Sequence, residues 1–388
     1  MAGTDWQGDL LRQLRGGDGE PAPEPVVPSS VSAGQPAAAP SEPADRANSA
    51  ATPSESAAPA KPAAPAAEPI PAPAPTLPAP SPIPVPPVDP HLLPAHRRSR
   101  PGDSVLRRTR RSLRQLLLSS ASRDVAEATR IAQALQQPVT TGRQIAVTSI
   151  RGGAGKTTVA ALLNLTYAHY RQDPVLVLEA DPALGTLPIR LAAPAVRWTC
   201  SDLAQVINPS MQFAEVTGYL VQVAEGGWLL PGSQGRVGTR LELPSYRAVM
   251  MALRRYFGIT VVDCETLPNP LARTALAASH ARVLVAPATM EGVASTRAVL
   301  EWMADVPRPR LLPGTVVALT MSSPDMTLDT GAASAYLGQA GIRVVTIPYD
   351  RHLAAGGPIR TAALGHETRM AAGHLGAELL NLALGKPR

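Results

Sequence analysis

Two cysteines in 388 residues, Cys200 and Cys264, leave no material for a disulfide framework. Cys264 has neither a CxxC partner nor a nearby histidine, and reads as a buried structural thiol. Aromatic residues make up only 3% of the chain. No run of about eighteen apolar residues occurs, so no helix is expected to span a membrane. The stretch after Met1 lacks the apolar core of a secretory signal. Those two absences lead us to expect a cytoplasmic protein, peripheral at most to the inner face of the cell membrane. The seven histidines lack ligand spacing, which excludes a histidine-built metal site.

Proline is abundant and unevenly placed, with 23 of the 42 prolines between residues 21 and 94. Residues 21–96 contain no aromatic side chain, and their apolar content is mainly Ala and Val. Such a segment cannot bury enough surface to offset its chain entropy, so we expect a disordered, polyproline II-like spacer. Ahead of it, Trp6, Leu10, Leu11 and Leu14 make one stripe of a short helix within residues 1–20, stopped by Gly16 and Gly17. That stripe is either a frayed terminus or a docking motif for a protein partner, held out on the tail.

Charge is segregated as well. Residues 1–96 carry 10 acids and 4 bases, whereas residues 97–114 carry eight arginines, Arg97 to Arg114, against Asp103 alone. Leu106, Leu113, Leu116 and Leu117 share a face there, so residues 104–118 read as a basic amphipathic helix. Its arginines suit an anionic membrane or DNA, and its leucines suit packing on the chain's own domain. An Ala-rich helix follows, over about 123–136, ending before Pro138. We treat 97–140 as one Arg-rich helical segment and begin the globular domain at residue 143.

From there to residue 388 apolar runs alternate with helical patterns. Strands are expected at 145–150, 175–179, 228–230, 259–263, 282–286, 315–320 and 342–347. Continuous apolar runs of this kind indicate a parallel sheet buried on both faces. The expected fold is therefore α/β, a doubly wound and mostly parallel sheet flanked by helices, with ligands at the carboxyl ends of its strands.

The run IAVTSIRGGAGKTTVAALLNL carries the chemistry. A strand ends near Ile150, a glycine loop follows, and a helix starts near Lys156. Gly152, Gly153, Ala154 and Gly155 let backbone N–H groups face phosphate oxygens, at the positive end of a helix. Lys156 can reach outer phosphates, Thr157 can ligate Mg²⁺, and Thr158 completes the cradle. Asp181 follows the strand PVLVLEAD, and Asp263 ends the strand ITVVD, 107 residues after Lys156.

The loop resembles the deviant Walker A of MinD/ParA-type ATPases, KGGxGK[ST], with Arg151 at the position of the signature lysine. The later segments LEADPALG, VVDCETLP and IPYD resemble the same family in the same order. The resemblance covers about residues 143–385. It implies the P-loop fold of the SIMIBI class, binding of ATP and Mg²⁺, and slow, partner-stimulated hydrolysis by an ATP-dependent homodimer. By the same resemblance Arg151 would reach the partner's nucleotide and Asp181 would orient the attacking water. Asp263 and Glu179 would hold magnesium through water, and Pro348 and Asp350 would lie near the base. Met321 and Ser322 stand where the family has an asparagine reading adenine. A proline-rich acidic tail, an arginine-rich helix and this loop together resemble the EspI-like ATPases associated with ESX (type VII) secretion systems. Two alternatives stay open, a ParA-like partition factor binding DNA non-specifically and a nucleotide-binding scaffold with little hydrolysis.

Overall fold

The computed structural model describes residues 81–95, 101–103, 120–183, 185–236, 238–306 and 311–385. The expected N-terminal helix, most of the proline-rich spacer and the basic helix at 104–118 lie outside the described residues. Eight strands form one sheet: β1 Arg143–Thr148, β2 Val175–Ala180, β3 Val221–Gln222, β4 Trp228–Leu230, β5 Ile259–Cys264, β6 Ala281–Pro287, β7 Thr315–Thr320 and β8 Arg343–Ile347. Seven helices of eight residues or more accompany them: α1 Ser120–Leu135, α2 Lys156–Tyr170, α3 Leu243–Leu253, α4 Pro270–Ala278, α5 Met290–Asp305, α6 Thr330–Gly338 and α7 His366–Ala383.

The sheet runs β3-β4-β2-β5-β1-β6-β7-β8, and every pair is parallel except β3 with β4. Strand β1 lies between β5 and β6. The chain leaves β1 for β2 on one side and later crosses from β5 to β6 on the other, which opens a crevice at the carboxyl end of β1. Strands β2 and β5 are buried along their whole length, as their unbroken apolar sequences require. Two apolar layers fill the faces of the sheet. One contains Leu176, Val262, Phe257 and Leu300; the other contains Val147, Leu163, Val177 and Leu380. The two-residue strand β3 is too short to leave a periodic signal in the sequence.

Two boundaries differ from the sequence reading. Helix α1 is part of the domain, because it packs on α7 and α2. Glycines on α7 permit that approach: a Cβ at Gly373 would stand 2.8 Å from Ile131, and one at Gly376 3.2 Å from Leu135. The end of the proline-rich stretch is also ordered. Val85 and Val196 exchange backbone hydrogen bonds of 2.8 and 2.7 Å, Gln234 donates to the Ile83 carbonyl at 3.2 Å, and a 3₁₀ turn follows at Pro90–Ala95. Composition hid this. Proline lacks a backbone donor, but the N–H of Val85 between prolines does not, and a single bridge suffices to anchor it.

One half-buried contact should make the fold acid-sensitive. His280 Nδ1 accepts from the Gln144 backbone N–H at the start of β1, at 3.1 Å. Burial, and then Arg143, Arg254 and Arg282, push its pKa down to about 4. Between that value and the ordinary pKa near 6.5 the unfolded chain binds a proton that the folded chain refuses. This contribution is therefore full above about pH 6.5 and is lost as pH falls toward 4. Denaturant midpoints measured from pH 7 to pH 4 should fall, and more shallowly in His280→Asn.

Candidate functional site

The loop at the end of β1 is held open from behind. Gly153 and Gly155 have φ of +73° and +92°, left-handed values that favour glycine. A Cβ at Gly152 or Gly153 would meet nothing within 4 Å, so both positions border open space. Its outer side is braced: Thr320 Oγ1 donates to the Ala154 carbonyl at 2.8 Å, and the Leu267 N–H donates to the Ser149 carbonyl at 2.8 Å. Helix α2 starts at Lys156, and the first helical bond of this turn runs from the Val159 N–H to the Gly155 carbonyl at 2.9 Å. The N–H groups of Lys156, Thr157 and Thr158 thus open the helix without helical acceptors, a ready anion cradle. A loop of this shape between a buried strand and a buried helix defines a P-loop protein of the doubly wound α/β class.

Charge converges beneath the loop. The Lys156 side chain is largely buried, and its ammonium donates to Thr266 Oγ1 at 3.1 Å. Asp263 lies on β5 beside it, 1% exposed, and no well-formed hydrogen bond reaches either carboxylate oxygen. Burial pushes its pKa up to about 7; the Thr157 hydroxyl and the Lys156 charge draw it back partway, and Asp181 raises it further. Thr157 and Asp263 are therefore neighbours. Asp181, just beyond β2, is half-buried and adds its charge to Asp263, Glu179 and Glu265.

The remaining predicted residues take more specific positions. Both Glu179 oxygens accept backbone N–H groups, from Leu187 and Gly232, each at 3.0 Å. Burial still pushes its pKa up to about 8. Its carboxylate clamps the segment after Asp181 to the loop after β4. Asp350 is likewise engaged by backbone: Oδ1 accepts from His352 and Leu353 at 2.8 and 3.3 Å, and Oδ2 from Gly365 at 2.8 Å. Gly102 packs against that carboxylate, and a Cβ there would overlap both oxygens. Pro348 lines a cavity of about 560 Å³ with Met321, Pro324, Tyr349 and Arg351, at the carboxyl ends of β7 and β8. Arg151 is exposed on the outer rim, its Nε 3.4 Å from Ser295 Oγ on α5.

Three contributors escaped the sequence reading. Thr320 and Thr266 come from neighbouring strand ends and carry no motif. Arg190 sits on the short turn Leu187–Arg190 and donates to Thr158 Oγ1 at 2.8 Å. Lone arginines are common, and only the tertiary contact marks this one. Cys264 is buried, with its thiol pushed well above the usual range by burial and then Asp263.

No family profile matches the chain. It is similar to the ESX-1 secretion-associated protein EspI of Mycobacterium tuberculosis, strains H37Rv and CDC 1551, at 28% identity over 221 residues. That match covers 55% of this chain and 32% of EspI, so the chain spans about a third of the length of the curated relatives it matches. Similar solved structures are ParA- and MinD-type ATPases and a synthase. The ParA family ATPase from Chlorobium tepidum TLS aligns with TM-score 0.46 and 12% identity, over 62% of this chain and 93% of that one. The McdA(D38A)–ATP complex from Cyanothece aligns with TM-score 0.45 and 18% identity, over 63% and 97%. Cobyrinic acid a,c-diamide synthase from Mycobacterium smegmatis, with bound ADP and magnesium, aligns with TM-score 0.46 and 20% identity, over 62% and 94%. No helix among the described residues is long and apolar enough to cross a membrane.

Proposed function

We propose that this chain is an ATP-dependent switch: it binds ATP with Mg²⁺, dimerises in that state, and is reset by slow hydrolysis. The observation that carries this reading is the free cradle of N–H groups standing over a buried, unpartnered Asp263 and the Lys156 ammonium. An orphaned carboxylate beside a threonine hydroxyl fits the water shell of a hard cation better than it fits an inert core. Thr157 and Asp263 would hold the ion, which neutralises phosphate charge when bound. Glu179, already clamped by backbone, would act on that shell only through a remaining lone pair.

Lys156 would hold the outer phosphates, and Asp181 would orient the attacking water from the half-open end of β2. Arg151, exposed on the rim, has the reach and charge to touch a second copy's nucleotide. The cavity beside Pro348 would take the base. Similarity to EspI supports placing this switch beside a larger assembly such as a type VII secretion system, with a protein partner engaged through the N-terminal tail. A scaffold that binds nucleotide with little turnover is the second reading. It is favoured by Glu179, whose two oxygens are committed to the backbone.

Sedimentation of the purified chain with ATP·Mg²⁺, ADP·Mg²⁺ and no nucleotide separates the readings. The switch predicts a dimer with ATP alone, and one that persists in Asp181→Ala because hydrolysis no longer releases it. A monomer in all three conditions, with nucleotide bound and no phosphate released, would leave the scaffold.

A further inference from the structure

Arg190 is a cation with no carboxylate counter-ion among the described residues. Its guanidinium donates to three neutral oxygens: Thr158 Oγ1 at 2.8 Å, the Leu353 carbonyl at 3.2 Å and the Gly357 carbonyl at 3.2 Å. Burial lowers its pKa, and no acidic neighbour opposes that shift. Among the described residues no carboxylate pairs with it. A half-buried guanidinium has lost part of its water, and carbonyl dipoles replace that only partly. Both Nη2 hydrogens and one Nη1 hydrogen are engaged, which leaves the Nε hydrogen and the other Nη1 hydrogen, on separate edges, to meet an anion one contact at a time.

The position says which anion. Thr158 is the third residue of α2, so the guanidinium is tied to the first turn of the helix that opens the phosphate cradle. Its backbone belongs to the turn that follows Asp181, where the Ile359 N–H donates to the Arg190 carbonyl at 2.8 Å. The N-terminal end of the same turn is the Leu187 N–H held by Glu179. One residue thus touches the loop helix, the turn after Asp181 and the loop after β8.

We propose that Arg190 is the counter-charge for the nucleotide phosphate nearest Thr158, and that this contact links phosphate occupancy to the segment after Asp181. The inference rests on reading the loop as a nucleotide site. A guanidinium charge suits phosphate oxygens, and the neutral partners seen here hold the group in place without cancelling that charge.

Calorimetric titration of ADP·Mg²⁺ into wild type, Arg190→Met and Arg190→Lys tests this, repeated at several salt concentrations and paired with melting curves. Losing a charge-assisted contact should weaken binding by about tenfold to a hundredfold in Arg190→Met. The dependence of affinity on salt should become shallower in that variant, because an ionic contact has gone. Arg190→Lys should lose several-fold in affinity and keep the wild-type salt dependence. A brace with no ligand role predicts otherwise: a lower melting temperature without nucleotide, but an unchanged Kd and salt dependence. That result overturns the inference. Should Arg190→Met fail to fold, Arg190→Lys decides alone, since a wild-type Kd there removes the guanidinium from the phosphate. Wild-type protein that binds no nucleotide would overturn the function proposed above and this contact with it.

Discussion

Replacing Lys156 by alanine should abolish nucleotide binding while leaving the fold standing. Its ammonium makes one hydrogen bond within the chain, to the Thr266 hydroxyl, and no carboxylate salt-bridges it among the described residues. Asp263 and Glu265 sense its charge without bridging it, so its removal should cost the free protein some stability but far less than it costs the bound state. Hydrogen bonds to charged groups contribute about 1.5–3 kcal/mol each, and two to phosphate oxygens correspond to at least a hundredfold in affinity. The measurement is Kd for ADP·Mg²⁺, with a melting curve of the free variant as the control. A variant that binds within tenfold of wild type would remove the phosphate role from the loop.

Asp263→Asn should act in opposite directions on the two states. Without ligand, a buried carboxylate with neither oxygen hydrogen-bonded is costly, and a neutral amide of the same shape relieves part of that cost. We expect the free protein to be at least as stable as wild type in denaturant unfolding above pH 7, because an amide needs less solvation than a charged carboxylate. With nucleotide, the advantage that Mg²⁺ confers should shrink by tenfold or more, because the amide carries no charge for the water shell of the ion. A variant that is less stable than wild type and keeps its magnesium dependence would show Asp263 to be an ordinary core residue.

Much of this molecule was legible in the chain. The strands at 228–230 and 315–320 match the structure residue for residue, and the others differ at their ends by one or two. Fully buried strands need unbroken apolar runs, and the glycines of a tight loop have no substitutes where φ is positive. Both demands are local, so they are written locally. Short β3 escaped because two residues make no period. The domain start escaped because α1 is Ala-rich and polar by itself, and its role depends on glycines some 240 residues later.

The candidate site divides along the same line. Sequence alone determined the loop, the lysine that follows it, the acids that end β2 and β5, and a parallel sheet to carry them. Each lies in one contiguous stretch whose spacing the backbone enforces. Only the tertiary structure decided how those acids are employed. Glu179 and Asp350 have their oxygens occupied by backbone N–H groups, whereas Asp263 has none. It also brought Arg190 to Thr158, across 32 residues of chain. A carboxylate or guanidinium reads the same in any sequence; its charge acquires a use only when folding sets which donors, acceptors and water stand around it.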